Sequence, residues 1–379
     1  MFWTSCRVAA DVESKPMATI DKYETGSGAT RYRVRYRTPD RRQTDKRGFR
    51  TKREAEAWAN QLEVDKRRGA FVAPAAGRVR LGEYAQEWLD SKHKLEPSTR
   101  ARYQVVLDTA IARHAGMPIG DISRTFVREW VSELREDLAP ASVHKTITVL
   151  RQVLAMAVRE NRLVMNPVDG VELPGVKSSE QRFLTLAELH RLADAAGENG
   201  PLVYVLGTCG LRFGEAAELR WKDCRLDERR LRIERSVALV NGRFVVGTPK
   251  SDRGRAVSIP AIVADMLTPG DDQALVFPDS TGGYMRGSNV RRRWWSQAVV
   301  EADVHANFKL HELRHTAASL AITAGANIKA LQNMLGHESA SLTLDRYGHL
   351  YESDVDVVGV AMNDLLTRDC GQNVGTDAA

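Results

Sequence analysis

The sequence predicts an α+β protein, mainly α-helical with small antiparallel sheets. Three observations lead there. Residues 81–165 repeat apolar side chains at helical spacing, residues 31–37 alternate like a strand, and residues 230–260 read as short strands around turn signals before helices return. At 379 residues, with 43% apolar and 27% charged side chains, the chain can build two or three domains with cores of their own. The expected division is a disordered extension over 1–17, a small basic module over 18–75, a helical domain over 78–172, a larger mixed domain over 180–363 and a disordered tail over 364–379.

In the first module Arg31-Tyr32-Arg33-Val34-Arg35-Tyr36-Arg37 alternates basic residues with apolar or aromatic ones. Pro39-Asp40 signals a turn, a second strand is expected over 43–49 and a helix from Lys52 to Arg67, with Ala55, Trp58, Ala59 and Leu62 on one face. A strand that turns Arg31, Arg33, Arg35 and Arg37 to one side suits a polyanion such as the DNA backbone. The plainer alternative is an edge strand protected by its charges.

After Ala73-Pro74-Ala75-Ala76-Gly77 come four expected helices. Leu81, Tyr84, Ala85 and Trp88 form one face, and a second helix begins near Pro97. A third runs from Ser123 to Glu136. The fourth, from Pro140 to Asn161, buries Val143, Ile147, Leu150, Leu154 and Ala157 and carries His144, Lys145, Arg151 and Arg159 on its other side. Those basic residues are candidate DNA contacts or a solvated face. Beyond 182, Thr185 and Glu188 make a capping box. Asn241-Gly242 marks a hairpin between Ser236–Val240 and Arg243–Val246, and a strand follows over Arg255–Ile259. Trp294 and Trp295, on a later helix, are expected in the core.

The formal net charge is +6, and residues 21–70 hold 15 Lys or Arg against 8 Asp or Glu, so that segment carries the basic character. The four cysteines are widely spaced and form no C-x-x-C pair, which argues against a disulfide framework or a cysteine zinc site and favours a reducing cytoplasm. No apolar run approaches the roughly 20 residues a membrane helix needs. Residues 1–16 are too charged for a secretion signal, and Met17 is a second candidate start.

Five stretches carry groups suited to phosphate chemistry. Arg212 lies between Gly210 and Gly214 at a helix start, with Glu215 three residues on to hold the guanidinium. Lys250 lies in the turn Thr248-Pro249-Lys250-Ser251-Asp252-Arg253-Gly254. His311 and Arg314 share a helix face. His337 follows Leu335-Gly336, and Tyr347 stands in Asp345-Arg346-Tyr347-Gly348-His349. Singly, each has an ordinary explanation as a salt bridge or a solvated side chain.

In this order the stretches resemble the tyrosine recombinase, or phage integrase, family over roughly 182–363, with looser similarity over 81–170 to its helical core-binding domain. Residues 18–75 look like the small arm-binding module, a three-stranded sheet plus helix, of many phage integrases. The resemblance implies a site-specific DNA recombinase with Arg212, Lys250, His311, Arg314, His337 and the nucleophile Tyr347 as catalytic residues. Tyr347 would leave a 3′-phosphotyrosine and a free 5′-hydroxyl, with no metal and no cofactor. Arg212, Arg314 and His337 would stabilise the charged transition state. Lys250 would protonate the leaving oxygen, and His311 would help take the Tyr347 proton. Tyr351 is a rival nucleophile. Substituting Arg212 or Arg314 by Ala is expected to abolish cleavage while the fold survives.

The implied partners are double-stranded attachment-site DNA, three further copies in a tetramer, and an accessory DNA-bending or directionality protein, with no membrane. Residues 353–367 would form a helix that docks on a neighbouring subunit or closes its own domain. A resolvase of chromosome or plasmid dimers, of the Xer kind, is the alternative use of the same residues. His311-Glu312-x-x-His315 also matches the zinc-protease pattern, with the histidines as ligands and the glutamate as base. That reading needs a third ligand and leaves Arg212, Lys250 and Tyr347 without a role.

Overall fold

The computed structural model describes residues 18–38, 42–67, 72, 76–176, 182–249, 254–348 and the short helical pieces 359–360, 362–363 and 366–367. Lys250, Tyr351 and the extension 1–17 lie outside them. So does the tail 364–379, save Leu366 and Thr367, whose backbone is helical. The chain divides into two compact units, 1–177 and 178–379. No described helix is long and apolar enough to cross a membrane.

The first unit opens with β1 (Ala18–Glu24), β2 (Thr30–Arg37) and β3 (Gln43–Phe49), antiparallel in that order, followed by α1 (Lys52–Arg67). Strand alternation sends Val34 and Tyr36 into a small core with Phe49, Ala55, Ala59 and Leu62. Trp58 closes that core edge-on to Tyr36, 5.3 Å between ring centres. β2 is therefore the middle strand, which corrects the edge-strand alternative. The arginines also do not stand as four unmatched charges. Asp21 faces Arg33 across the β1–β2 ladder and lies 3.2 Å from the Arg33 Nε and 3.0 Å from the Arg35 Nε. Arg35 and Arg37 are exposed, while Arg31 and Arg33 are half-buried.

Four helices follow: α2 (Leu81–Asp90), α3 (Pro97–Asp108), α4 (Arg124–Asp137) and α5 (Pro140–Arg159). Proline at the first position suits α3 and α5, where its missing N–H costs nothing, and Ser123 caps α4 by accepting from the Phe126 N–H. Trp88, Trp130, Ile147, Leu150 and Leu154 are fully buried at their centre. Asn166 ends the block by donating to the Arg151 carbonyl and accepting from the Val168 N–H. Two of the basic residues on α5 are engaged locally. His144 Nε2 lies 2.7 Å from the Pro174 carbonyl, and Arg151 lies 3.5 Å from both the Val168 carbonyl and the Asp169 carboxylate. Lys145 is exposed.

The second unit starts with α6 (Leu186–Ala195), whose Thr185–Glu188 capping box is complete, then α7 (Gly200–Cys209) and α8 (Phe213–Glu218). β4 (Cys224–Arg225) and β5 (Arg230–Ile233) precede the hairpin β6 (Ser236–Val240) and β7 (Arg243–Gly247). β8 (Arg255–Ser258) completes a sheet of order β4-β5-β8. The remaining helices are α9 (Ala261–Ala264), α10 (Gly287–Val290), α11 (Ser296–Glu301), α12 (Glu312–Thr323), α13 (Ile328–Leu335) and α14 (Ala340–Tyr347). A π-helical turn over Arg291–Trp295 joins α10 to α11. It places Trp295 in the core, donating from Nε1 to the Phe308 carbonyl, with Trp294 packed beside it. A separate small cluster of Ala318, Ile322, Leu331, Leu335 and Tyr347 seats α13 and α14 on α12.

Candidate active site

The site is organised by the C-terminus of α13. An α-helix ends with carbonyls that have no partner in the helix, and these carry its negative pole. Gly336 adopts a left-handed conformation (φ 63°), and the chain reverses so that its N–H bonds the Asn333 carbonyl and the His337 N–H bonds the Gln332 carbonyl. The next three carbonyls each receive an arginine. Met334 O accepts from Arg255 Nε at 3.0 Å, Leu335 O from Arg314 Nη2, and Gly336 O from Arg212 Nη2 at 3.3 Å. Leu335-Gly336-His337 thus does more than carry a histidine: it is the acceptor ladder that gathers the guanidiniums.

A second left-handed glycine serves the same cluster. Gly210 (φ 65°) ends α7, and its carbonyl accepts from Arg314 Nη1 at 2.6 Å. Arg314 is 3% exposed and clamped between two helix ends. Burial, with the charges of Arg212 and Arg255, pushes its guanidinium down to about 9, still charged at neutral pH. Arg212 stands at the N-terminus of α8. Its backbone N–H and its Nη1 both donate to Glu215, at 2.9 and 2.8 Å. Glu215 is buried and also takes both terminal nitrogens of Arg255, at 3.0 and 2.7 Å. Burial raises the Glu215 carboxyl, but the hydrogen bonds and charges of Arg255 and Arg212 outweigh it and hold the group below its ordinary value. Arg212 and Arg255 bond Glu215 directly and Arg314 lies within its field, so three guanidiniums face one carboxylate, a formal excess of two positive charges.

Tyr347, the last residue of α14, is 2% exposed. Its hydroxyl lies 2.8 Å from His315 Nδ1, on α12 directly after Arg314. Burial raises the phenol above its usual value, against the opposing charges of Arg314 and Arg346. Burial, helped by His311, Arg346 and Arg314, lowers His315 to about 4, so it is neutral at pH 7. His337 stacks parallel to the Tyr347 ring, 6.5 Å between centres, and its Nδ1 lies 2.9 Å from Thr343 Oγ1. Burial and then Arg314 and Arg212 lower His337 to about 4 as well. His311 is exposed at the head of α12, its ring 5.6 Å from that of His315.

The structure thus brings Arg212, Glu215, His311, Arg314, His337 and Tyr347 into one region of the second unit. Two residues there were not foreseen as part of it. Arg255 had a signal: it shares a strand face with Val257 and Ile259, both buried, so a basic residue points at the core. His315 had one too, since it follows His311 by four residues and therefore shares its helix face. As for the zinc pattern, the Tyr347 hydroxyl faces His315 Nδ1, and no group of three His, Cys, Asp or Glu side chains able to hold a metal occurs among the described residues.

Residues 182–354 match the family model described as the phage integrase family, and residues 22–66 match an arm DNA-binding domain. The prophage phiRv2 integrase of Mycobacterium tuberculosis is 30% identical over 344 residues, which covers 84% of this chain and 88% of the relative. An integrase of Mycobacterium phage FRAT1 is 28% identical over 311 residues, 76% of this chain and 88% of the relative. Among solved structures, the Tn1549 transposon integrase in complex with a circular intermediate DNA superposes with a TM-score of 0.64 at 18% identity, over 76% of this chain and 99% of that one. The lambda integrase tetramer bound to a Holliday junction gives 0.54 at 19%, over 84% and 96%. Both have the same fold.

The chain belongs to the phage integrase family. It is an integrase of the phage and mobile-element type, a tyrosine recombinase that cuts and rejoins DNA.

Proposed function

We propose that this chain inserts phage or other mobile DNA into a host chromosome, using Tyr347 as nucleophile. The observation that carries the reading is the packing of the Tyr347 phenol, from its own chain, against His315 and His337 within the field of Arg314. The phenolic oxygen forms a bond to phosphorus as the bond to the 5′-oxygen breaks, and the leaving oxygen takes a proton from Lys250. The 3′-phosphotyrosine keeps the bond energy, so a 5′-hydroxyl from the partner duplex reverses the step without ATP.

The formal excess of two positive charges matches the extra negative charge a phosphoryl transition state spreads over its non-bridging oxygens. Arg212 and Arg314 supply fixed donors, and Glu215 orients Arg212 from behind. A neutral His337 that accepts from Thr343 at Nδ1 carries its proton on Nε2, the nitrogen that donates to the phosphate.

Residues 180–363 carry this chemistry. Residues 78–172 hold the core site, with Lys145 the exposed contact and His144 and Arg151 shaping the same surface. Residues 18–75, with Arg31, Arg33, Arg35 and Arg37, bind separate arm sites; the arm-domain match supports this, and favours integration over dimer resolution. The assembly on DNA is a tetramer, as in the lambda integrase structure on a Holliday junction, aided by an accessory bending or directionality protein. Such an enzyme acts in the cytoplasm, at the nucleoid.

The test is covalent capture on DNA spanning the junctions of the integrated element. Wild-type protein should give an adduct that survives denaturation. Tyr347→Phe should give none while it binds the same DNA. An adduct that persists in that variant moves the nucleophile to another residue, Tyr351 first.

A further inference from the structure

We propose that His315 accepts the proton of Tyr347 as the phenolic oxygen attacks phosphorus. The inference rests on Tyr347 being the nucleophile and assigns the base that serves it. The geometry is direct: the Tyr347 hydroxyl lies 2.8 Å from His315 Nδ1, and both groups are withdrawn from solvent. An imidazole offers an acceptor only while neutral, and a phenol in hydrogen-bond contact with it is the natural donor.

Among the described residues, the charged and titratable groups around His315 are Arg314 and His311 from its own helix and helix head, and Arg346 and Tyr347 from α14. Three of these four are cationic or can become so. They keep the resting imidazole free of a proton at neutral pH, so the acceptor is ready before DNA arrives. Binding a phosphodiester brings one negative charge among them, and the transition state brings a second. Both favour the imidazolium that forms when the Tyr347 proton moves to Nδ1. In the reverse step the same imidazolium returns the proton to the departing phenolic oxygen, and the positive neighbours assist that return. Atoms balance in each direction: the O–P bond to Tyr347 forms as the bond to the 5′-oxygen breaks, and one proton shuttles between Oη and Nδ1.

His311 is the residue the family resemblance offered for this task. It is exposed at the head of α12, whereas His315 holds the direct contact.

The experiment uses the full chain and measures single-turnover adduct formation between pH 5 and 9. Two junction duplexes are compared, one ordinary and one with sulfur replacing the 5′-bridging oxygen at the scissile position. The sulfur leaving group needs no general acid, so the second substrate isolates the nucleophile side. His315→Ala should slow adduct formation at pH 7 by about 10²- to 10⁴-fold on both substrates, the usual contribution of a positioned base. In the variant the rate should climb about tenfold per pH unit towards pH 9, because hydroxide must then ionise a phenol whose ordinary pKa is about 10.

His315→Asn separates proton transfer from positioning. Its side-chain oxygen can hold the phenol in place but takes no proton, so it should be as slow as the alanine variant. Wild-type speed in His315→Asn would reduce His315 to a positioning residue, and wild-type speed in His315→Ala would remove it from the reaction. If His311→Ala alone gives the steep pH dependence, the base is His311. Should either His315 variant fail to bind DNA, the wild-type profile on the sulfur substrate decides: an imidazole already neutral at pH 5 gives a rate nearly flat up to pH 9, and a wild-type rate that climbs about tenfold per pH unit, as hydroxide ionisation requires, overturns the proposal. None of these outcomes touches the Tyr347→Phe result, so the two readings fail separately.

Discussion

Removing the carboxylate of Glu215 tests the architecture of the site most directly. Its side chain is fully buried and serves Arg255, whose side chain is 9% exposed, and Arg212, at 23%. Glu215→Gln keeps the volume but leaves three neighbouring guanidiniums with no counter-charge. Taking one partner from a buried ion pair costs about 3–5 kcal/mol. Because Arg212 is partly hydrated, the lower end applies, about 3 kcal/mol, which for a domain of this size means a Tm lower by roughly 6–12 °C. Thermal unfolding at pH 7.5 in low salt measures it, and sulfate should recover part of the loss by entering as a substitute anion. The pH dependence fixes the sign. Glu215 is held below its ordinary value, so its contribution is complete above about pH 4.3, the unfolded pKa, and disappears as pH falls through the lower folded one. The gap between wild type and variant should therefore close in acid. A Tm change under about 2 °C at pH 7.5, or a gap that widens in acid, would refute the idea that this carboxylate holds the cluster together.

Three further outcomes follow from the same geometry. Gly336→Ala places a methyl 3.0–3.1 Å from the Arg255 side chain at a left-handed backbone position; it should destabilise by about 1–2 kcal/mol and slow adduct formation by displacing the acceptor ladder. His315 and His337 are both held near 4, below their ordinary value, so stability should fall as pH drops from about 6.5 towards 4. An acid titration of Tm should show this, and His337→Gln should flatten it. Asp21→Asn frees Arg33 and Arg35 from their shared carboxylate; if that face meets phosphates, DNA affinity should rise and the slope of log K against log salt should steepen by about 1.

Much of the fold was legible because local rules and tertiary packing agree. The helix over Lys52–Arg67 and the Asn241-Gly242 hairpin appear where periodicity and turn chemistry place them, and so does the Thr185 capping box. Candidate residues were legible as a set, because an ordered set of motifs is far more specific than any one of them. What stayed hidden is pairing between residues distant in sequence. Nothing near Glu215 announces Arg255, 40 residues on, and nothing near Tyr347 announces His315, 32 residues earlier. The arginine stripe of β2 was half legible. Its alternation gives the face, but Asp21, which partly neutralises it, sits 12 residues away on the neighbouring strand.

Arg212 and Arg314 show how chemical equivalence can hide structural inequality. In the proposed reaction each offers a guanidinium to the same phosphate, and by sequence each was expected to tolerate replacement by alanine without harm to the fold. Arg212 is partly exposed, and its partner Glu215 keeps Arg255 when Arg212 is lost. Its removal also relieves repulsion among three cations, so Arg212→Ala should stay within about 1 kcal/mol of wild type while cleavage collapses. Arg314 is buried and bridges the carbonyls of Gly210 and Leu335, the ends of two helices. Arg314→Ala strands both acceptors in the interior, at about 1–3 kcal/mol each unless water replaces the guanidinium. That destabilisation exceeds any relief of repulsion. Arg314→Lys cannot rescue it, since one ammonium on a flexible stem does not reproduce a planar fork held between two fixed carbonyls. Equal stability of the Arg212 and Arg314 alanine variants in denaturant unfolding would show that the helix-end carbonyls are satisfied without the arginine. The cluster would then owe its geometry to Glu215 alone.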